Sequence, residues 1–367
     1  MPTVASLKEL KRTIIDRHVR RDDARGSAQA LTTLLPLGAL WYGAVASAAV
    51  SYWLTAAVVA LMTLFLLRVF VLMHECGHAS LFRTNRLNRA FGFVFGVISG
   101  MPQYVWSRHH RHHHSTNGNW ARYRGPLNII PVDEYAAMSV RQQRRYRQAR
   151  SLWLAPLAGF MYLVFNPRVT WLKGSADLVL HVIKGKVARR AQSIKAHVLE
   201  FETPFWSSAQ EYRHMFWNNV VLLGLWALMA WVVGPLLFFV CWIVSVSLAG
   251  AAGILLFTVQ HNFEHSYASH DEGWDYDSAA IEGTSFLVLP RWLNWFTANI
   301  AYHHIHHLSA RIPNYCLVAC HDENRQLFAD VRRIRLSEIP RALKYILWDT
   351  HARRIVSVAE HRRQASS

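Results

Sequence analysis

The stretch FWNNVVLLGLWALMAWVVGPLLFFVCWIVSVSLAGAAGILLF, residues 216–257, decides the class of fold. It carries no Asp, Glu, Lys or Arg, and the uncharged window around it extends over residues 214–263. A membrane-spanning helix needs about 20 apolar residues, so a window of this length holds two. A Gly-Pro turn dipeptide lies in its middle, at 234–235. We therefore predict a transmembrane hairpin made of Phe216–Val233 and Leu236–Phe257.

A second uncharged window, residues 26–67, predicts another hairpin, in which a small polar turn at 47–51 joins Ala28–Ala49 to Trp53–Met73. A charge in hydrocarbon is costly, so two such windows favour burial in a bilayer over the alternative, two buried hairpins of a soluble core. Neither turn carries a charge, and we place all 40 Lys and Arg residues on the opposite side of the membrane. The positive-inside rule makes that side the cytoplasm.

The remaining sequence is assigned to the cytoplasmic side in three segments, residues 1–27, 74–213 and 258–367. Two short apolar stretches of the middle segment, 90–105 and 152–165, contain glycine and proline, and we expect them to be interfacial or re-entrant. If both crossed the membrane instead, the basic sequence between them would lie on the far side, which the positive-inside rule disfavours.

Other local patterns complete the organisation. The charges at Arg141–Arg150 and Arg332–Arg354 are typical of helices. The charged first 25 residues lack the apolar core of a signal peptide, so we expect the first span to be an uncleaved anchor. The four cysteines form no Cys-x-x-Cys pair and are expected to be reduced thiols. No flavin or nucleotide fingerprint and no fused electron-carrier domain is recognised.

Histidine is unusually frequent, with 21 residues concentrated near the cytoplasmic ends of the predicted spans. The first cluster, HECGH at 74–78, places His74 and His78 on one helical face, where both can bind one metal. By itself, such a pair is equally compatible with two surface histidines.

Two longer histidine clusters follow. The one at 109–114 contains the pattern His-x2-His-His in two registers, starting at His109 or at His110, and the one at 303–307 contains it once. Positions i, i+3 and i+4 share a helical face, so each triplet offers three converging nitrogens. A histidine run can also be a solvent-exposed patch that scavenges metal. Three clusters at one membrane face favour a built metal site.

A fourth pair, His261 and His265, lies four residues apart at the end of the last span, where two interfacial histidines are the alternative. Counting one face of each cluster gives eight histidines, and this pair raises the number to ten. A closed zinc site takes four ligands, so the count predicts two metals. The expected fold, residues 1–367, is an all-α integral membrane protein. Its four transmembrane helices form two hairpins (28–73 and 216–257), and its cytoplasmic helical cap carries a histidine-rich dimetal site.

These motifs resemble the three histidine boxes of the membrane fatty acid desaturases. The resemblance runs from about Val71 to Ala319 and is greatest to the acyl-lipid omega-6 (Δ12) branch, which has a Gln-His pair similar to Gln260-His261. The boxes in this order are specific for the superfamily and weakly specific for substrate. The matching strings are His74-Glu75-Cys76-Gly77-His78, then Trp106 before His110-x2-His113-His114 with Thr116-Asn117-Gly118, then His303-x2-His306-His307-Leu308 with Ile312-Pro313-Asn314-Tyr315.

The resemblance implies an oxygen-dependent di-iron desaturase that introduces a double bond into an acyl chain carried by a membrane lipid or a thioester. Its implied cofactors are two iron ions, with O2 as co-substrate and a ferredoxin or cytochrome b5 as external electron donor. It selects the His110 register of the second box and leaves His109 and His112 as extra histidines. The implied metal ligands are His74, His78, His110, His113, His114, His261, His265, His303, His306 and His307.

Charge and position predict the surroundings of this centre. The basic stretches at 141–150 and 332–335 would attract an acidic electron-transfer protein and equally anionic lipid, whereas no nucleic-acid partner is expected. We expect a multi-pass protein with its active site on the cytoplasmic face, in a bacterial inner membrane rather than the endoplasmic reticulum. Carboxylates should orient the ligand imidazoles, and the candidates are Glu75, Glu264, Asp271, Asp275 and Asp277.

Three alternatives remain open. An acyl hydroxylase, an acetylenase or another di-iron membrane oxygenase would share every ligand and differ only in pocket shape. A histidine-rich metal transporter or sensor would carry histidines or carboxylates within its spans, and both windows lack them apart from the boundary residues His214 and His261. A zinc hydrolase needs fewer histidines. The position of the double bond, the acyl carrier and the oligomeric state are left open by the sequence.

Overall fold

The computed structural model describes residues 4–124, 128–188 and 191–364. Its helices are α1 (Val4–His18), α2 (Asp23–Ala48), α3 (Tyr52–Gly77), α4 (Asn85–Ser99), α5 (Gln103–Thr116), α6 (Val132–Ala137), α7 (Val140–Gln148), α8 (Ala155–Phe160), α9 (Asn166–Ala188), α10 (Ile194–Leu199), α11 (Ala209–Val233), α12 (Pro235–His261), α13 (Tyr276–Ile281), α14 (Arg291–Phe296), α15 (His303–Leu308), α16 (Leu317–Glu323), α17 (Ile339–Ala342) and α18 (Val358–Gln364). The strands are β1 (Ile130–Pro131), β2 (Phe286–Val288), β3 (Arg333–Arg335), β4 (Tyr345–Asp349) and β5 (Arg354–Ser357).

Four helices of the described part, α2, α3, α11 and α12, are long and apolar enough to cross a membrane, as predicted. They pair as two hairpins, and each helix extends past its predicted bounds at the end away from the turn.

The local sequence defines where these helices begin and end. The Asp22 side chain caps α2 by accepting from the backbone N–H of Arg25, and Ser208 caps α11 in the same way through Glu211. Between α11 and α12, Gly234 adopts φ +91°, which glycine permits without strain, and Pro235 starts α12.

The hairpins pack on each other through α3 and α12, and α8 packs on the middle of α12. The contact with α8 is made by two glycines, because a Cβ at Gly250 would lie only 2.7 Å from the Cα of Gly159. Small residues let helices approach closely where lipid offers no hydrophobic driving force for association. This packing brings the segment after α7 against the second hairpin.

One arginine lies inside a predicted span, so the assignment of every Lys and Arg outside the spans was wrong. Arg68 of α3 is buried, and its Nε donates to Thr33 Oγ1 at 3.0 Å. Its Nη1 donates to the backbone oxygen of Trp295, and the guanidinium lies 4.0 Å from the centre of that indole. These contacts satisfy the charge within the protein and join α3 to α2 and α14.

The two short apolar stretches form broken helical segments. The first is divided at Gly100, where φ is +79°, into α4 and α5, and both helices contact α3. The second forms α8 and a π-helical turn at Met161–Phe165 that continues into α9. Neither belongs to the four helices that could span a membrane among the described residues, so their interfacial position stays a prediction.

The two basic stretches differ in structure. Arg141–Arg150 forms α7 as predicted except for its last two residues, which lie beyond the end of the helix at Gln148, and Ser139 provides a capping box. The helix predicted over Arg332–Arg354 was wrong for most of its length, because the region contains β3 and β4 and only the short helix α17 between them. In β3 the buried Ile334 alternates with exposed arginines, a period of two that belongs to a strand. β3 pairs in parallel with β2, while β4 pairs in parallel with β1 and antiparallel with β5.

Candidate metal centre

The hairpin order brings the carboxyl ends of α3 and α12 to the same end of the helical bundle. The first histidine cluster lies at the end of α3, and His261 is the last residue of α12. The second cluster lies on α5 and the third forms the short helix α15, whose residues are all buried. Nine of the ten predicted ligands meet where these four helices converge.

Five of the nine histidines form one group: His74, His78, His110, His114 and His306. One ring nitrogen from each lies within 4.8 Å of the corresponding nitrogen of every other member. The Nε2 atoms of His110 and His114 are 3.0 Å apart, and that of His306 lies 3.1 Å from His114 Nε2. This group thus combines residues of all three boxes.

The other four histidines, His113, His261, His303 and His307, form a second group under the same 4.8 Å criterion. The Nε2 atoms of His303 and His261 are 2.9 Å apart, and those of His113 and His307 are 3.2 Å apart. All four side chains are buried. The second group therefore depends on His261, which lies outside the three boxes.

The second and third boxes each contribute to both groups. On α5, His110 and His114 are one turn apart and belong to the group of five, while His113 belongs to the group of four. On α15, His306 belongs to the group of five, and His303 and His307 belong to the group of four. Successive helical residues are rotated by about 100°, so a triplet cannot present all its rings to one point. Each triplet therefore directs two rings to one group and one ring to the other, which corrects the expectation that all three nitrogens converge.

The donor set fits bound metal ions. A proton can link one pair of ring nitrogens, but it cannot satisfy five nitrogens around a common point. The Nε2 atoms of His74 and His78 are buried without a hydrogen-bond partner among the described residues. Metal–nitrogen bonds of about 2.1 Å at right angles put neighbouring nitrogens about 3 Å apart, which matches the Nε2 spacings of both groups. Nitrogen-only sites suit iron, zinc, copper or nickel.

Burial keeps the rings outside the spans in their neutral form. Loss of hydration lowers the pKa of His78 to about 3 and lowers the pKa values of His110, His114 and His306 well below their usual value. The neighbouring histidines lower the pKa values of His110, His114 and His306 further. A neutral imidazole has a lone pair for a metal, so these rings are in the ligand form at physiological pH.

Glu75 is the carboxylate that supports the group of five. It is fully buried, and its Oε1 lies 3.1 Å from His74 Nδ1. Its Oε2 accepts from Ser80 Oγ at 2.9 Å and from the backbone N–H of Asn314 at 3.1 Å. A proton on His74 Nδ1 held by this carboxylate leaves Nε2 free to face the centre. This confirms one of the five candidate carboxylates.

The other four candidate carboxylates have different partners. Glu264 pairs with Arg341 at 3.2 Å, and Asp271 pairs with Arg122 at 2.8 Å. Asp275 caps α13 by accepting from the backbone N–H of Ser278, and Asp277 pairs with Lys11. None forms a hydrogen bond or ion pair with the nine grouped histidines in the described structure, so their predicted orienting role is not supported.

In the group of four, a backbone carbonyl takes the role of the carboxylate. His261 Nδ1 lies 3.3 Å from the carbonyl oxygen of Gly283, which can only accept. The Nδ1 therefore carries the proton, and Nε2 faces His303. The preceding Gln260 donates from Nε2 to the carbonyl of Ile300 at 2.8 Å and fixes the end of α12.

The structure does not bring His265 to either group. Helix α12 ends at His261, and Asn262 is already extended, so the four-residue spacing of His261 and His265 no longer defines a common helical face. His265 adopts φ +64°, and its side chain is 71% exposed beside Glu264. The inclusion of His265 among the ligands is therefore corrected.

Two further histidine assignments are decided by burial. His109 and His112 are exposed on the outer face of α5, which agrees with the register that starts at His110. His304 is buried but turns away from both groups, and its Nε2 lies 3.1 Å from Nδ1 of His321. His321 was not predicted from the sequence, because an isolated histidine on α16 carries no spacing signal.

Aromatic side chains border the histidines on the side of α8 and α12. The Trp106 ring stacks on His110 at 4.4 Å and donates from Nε1 to the hydroxyl of Tyr162 at 2.9 Å. Phe257 lies one turn before His261 on α12. Its ring centre is 5.8 Å from that of His110 and 5.0 Å from that of His113, so it borders both groups.

The sequence profile described as "Fatty acid desaturase" matches residues 47–337, which include every grouped histidine. The chain belongs to the fatty acid desaturase family. A protein of Bacillus subtilis (strain 168) named "Fatty acid desaturase" is 33% identical over 330 residues, which cover 90% of this chain and 84% of that protein. This desaturase is accordingly a membrane oxidoreductase whose substrate is a lipid acyl chain.

More distant relatives belong to the branch indicated by the box flanks. An "sn-1 oleoyl-lipid 12-desaturase" of Picosynechococcus sp. is 25% identical over 254 residues, covering 68% of this chain and 62% of that protein. A protein of the same name from Anabaena variabilis is 21% identical over 328 residues, covering 88% and 83%. Membership of the family and its four apolar helices make this desaturase an integral membrane protein.

Proposed function

We propose that this desaturase is a di-iron enzyme that uses O2 to introduce a double bond into a membrane acyl chain, with its irons held by the group of five and the group of four. The observation that carries the proposal is the pair of adjacent all-histidine groups, in which every residue except the partly buried His78 is buried. Because hydrogen removal from a saturated chain is an oxidation, redox-inert zinc does not suit the site, whereas iron suits imidazole ligands and redox chemistry.

The reaction assigned to this centre balances as follows. A –CH2–CH2– pair loses two hydrogens to become –CH=CH–. Two reduced donor molecules supply one electron each and the solvent supplies two protons, so that one O2 is reduced to two waters. When bound, the two irons supply the O2-dependent oxidising chemistry.

The protein contributes orientation and exclusion of water. Glu75 and the Gly283 carbonyl hold His74 and His261 in the tautomer that leaves Nε2 available. Eight of the nine grouped histidines are buried and His78 is partly buried, which keeps bulk water from the reacting carbons. We assign the half-buried Phe257 to the path of the acyl chain, because it lies on the membrane side of His261 and borders both groups.

The proposed substrate is an acyl chain of ordinary membrane length, desaturated at a mid-chain position. The support is the likeness to relatives named as oleoyl-lipid 12-desaturases, together with the box flanks. The reacting carbon is chosen by how far the chain passes the metals, and residues such as Phe257 set that depth.

Electrons are proposed to come from an acidic ferredoxin or cytochrome b5. Helix α7 offers a docking surface, since Arg141, Arg144 and Arg145 are exposed and form no ion pair with any residue that the structure describes. We place this surface and the metal centre on the cytoplasmic face of a bacterial inner membrane, with all of residues 1–367 acting as one unit.

Expression with a compatible donor in a host of defined acyl composition tests the function. Analysis of fatty acid methyl esters should detect a new cis double bond that disappears in His306→Ala. A hydroxylated or triple-bonded product would agree with a di-iron oxidase but would refute the assignment as a desaturase. Unchanged lipids despite full iron loading, with every donor tried, would refute the acyl substrate.

A further inference from the structure

A cavity of about 420 Å³ lies between the α1–α2 junction and the segment around the start of α16, outside the two histidine groups. Its wall carries four guanidinium groups and two carboxylates, an excess of two positive charges. Nothing in the desaturation chemistry uses these residues. The charged members of the wall are Arg17, Arg20, Arg21, Arg25, Asp22 and Glu323.

Two of the four arginines are already engaged within the protein. Arg17 Nε pairs with Glu323 at 3.2 Å, and Arg21 Nη1 donates to the backbone oxygen of Ala79 at 3.1 Å. By contrast, Arg20 and Arg25 form no ion pair with any described residue, and the Arg25 guanidinium only lies over the ring of Tyr315, at 5.6 Å. The cavity wall thus retains two guanidinium groups with unused donors.

A buried histidine lies beside one of the two carboxylates of the wall. His18 lines the cavity and is only 5% exposed. Its Nδ1 lies 2.9 Å from the Ile14 carbonyl, which can only accept, while its Nε2 has no hydrogen-bond partner among the described residues. The Glu323 carboxylate lies 3.3 Å from that Nε2. Glu323 thus pairs with Arg17 and lies beside His18, so the negative charge of this carboxylate is already engaged within the wall.

Two unpaired guanidinium groups favour an anionic ligand, and the location of the cavity indicates which anion that is. Arg25 belongs to the first turn of α2, which is the first membrane-spanning helix, so the cavity lies at the height where that helix enters the membrane. Lipid phosphates occupy this height, and the guanidinium fork matches phosphate geometry. We propose that this cavity binds the phosphate of a membrane phospholipid headgroup. The inference depends on the proposed membrane position of α2 and is independent of the di-iron chemistry.

The cavity wall is connected to the support of the metal centre. The backbone N–H of Asp22 donates to the hydroxyl of Tyr315 at 2.7 Å. The neighbouring residue, Asn314, donates its N–H to Glu75, which holds His74. A headgroup bound between the α1–α2 junction and Tyr315 would stabilise this segment, so we expect lipid binding to raise the unfolding temperature.

The test uses the full-length desaturase in a neutral detergent. Binding and unfolding temperature are measured with dihexanoyl phosphatidylglycerol, with dihexanoylglycerol, which lacks the phosphate, and with inorganic phosphate. The phospholipid should bind and stabilise the protein, and the neutral lipid should not. The pocket variant is Arg20→Gln/Arg25→Gln. Its matched control is Arg86→Gln/Arg89→Gln, which removes two exposed arginines of α4 that form no ion pair with the described residues.

The pocket variant should weaken phospholipid binding at least about tenfold, and the control should change it less than about twofold. Arg20 and Arg25 are exposed at the cavity rim, so their exchange removes no buried packing, and Arg20→Gln alone provides a milder variant. An equal loss of phospholipid affinity in the control variant would show a general effect of charge and would contradict binding at this cavity. If inorganic phosphate bound as strongly as the phospholipid, the cavity would be a site for a free anion, and the proposal of a lipid headgroup would be refuted. Since none of these measurements requires turnover, their failure is distinguishable from failure of the proposed desaturation.

Discussion

The Glu75 carboxylate accepts a hydrogen bond from the backbone N–H of Asn314, 239 positions later in the chain, at 3.1 Å. The same carboxylate lies 3.1 Å from His74 Nδ1. The contact therefore fixes the first histidine box relative to the segment that follows the third. Alignment of two boxes by one buried residue explains how ligands from distant parts of the sequence reach a common point.

Exchange of Glu75→Gln should weaken iron binding by about ten- to a hundredfold, because the amide no longer stabilises the Nδ1 proton of His74 as a charged acceptor does. Iron per chain and product formation are measured on the purified variant across a range of free iron concentrations. Glu264→Gln is the control, since Glu264 pairs with Arg341 away from both groups. Wild-type iron affinity in Glu75→Gln would contradict the supporting role.

The division of the ligands into two groups predicts separable metal losses. His74→Ala removes a member of the group of five, and His113→Ala removes a member of the group of four. Each should lower the iron content from about two to about one per chain and abolish activity. Metal analysis by mass spectrometry with activity assays checks both effects.

Two exchanges serve as controls for this experiment. His265→Ala and His181→Ala should retain about two irons, because neither residue belongs to a group. Loss of iron in His265→Ala would show that His265 is a metal ligand. One zinc per chain with retained activity would refute the di-iron assignment.

The membrane topology can be tested with single introduced cysteines, because all four native cysteines are buried. Val50→Cys and Leu236→Cys lie at the turns of the two hairpins and are highly exposed, and Arg144→Cys lies on α7. An impermeant maleimide applied from outside to intact cells should label the two turn positions, whereas Arg144→Cys should react only after permeabilisation. Labelling of all three positions from the cytoplasmic side alone would refute the topology of two hairpins.

Phe257→Ala should change the distribution of double-bond positions while leaving iron at its wild-type content. The ring borders both histidine groups from the membrane side, so its removal lengthens the space available to the chain. Fatty acid methyl esters of known chain length report the positions. Phe239→Ala, on the same helix near its other end, should leave the distribution unchanged. An identical distribution in Phe257→Ala would exclude this residue from the acyl path.

The four spans and all nine grouped histidines could be predicted from the sequence. The spans and the histidine spacings follow from short-range physics, whereas the register of the second box came from the family resemblance. A window without charges over residues 214–263 has no stable alternative to burial, and the four-residue spacing of His74 and His78 specifies one face within a single helix. The prediction for His265 was wrong, because it assumed that α12 continues beyond His261. The helix predicted at β3 was also wrong, because the alternation of arginine with Ile334 matches the period of a strand and outweighs the charge pattern.

The division of the histidines and the groups that support them depend on tertiary packing. No spacing could show that His113 leaves the group of its neighbour His114, because the division depends on the orientation of α5 between α3, α12 and α15. The choice of Glu75 among five carboxylates depends on the backbone of Asn314, and the support of His261 depends on the Gly283 carbonyl. These partners are far apart along the chain, and a backbone group has no sequence signature. Only the packing of the two hairpins and the cap brings them within hydrogen-bond distance.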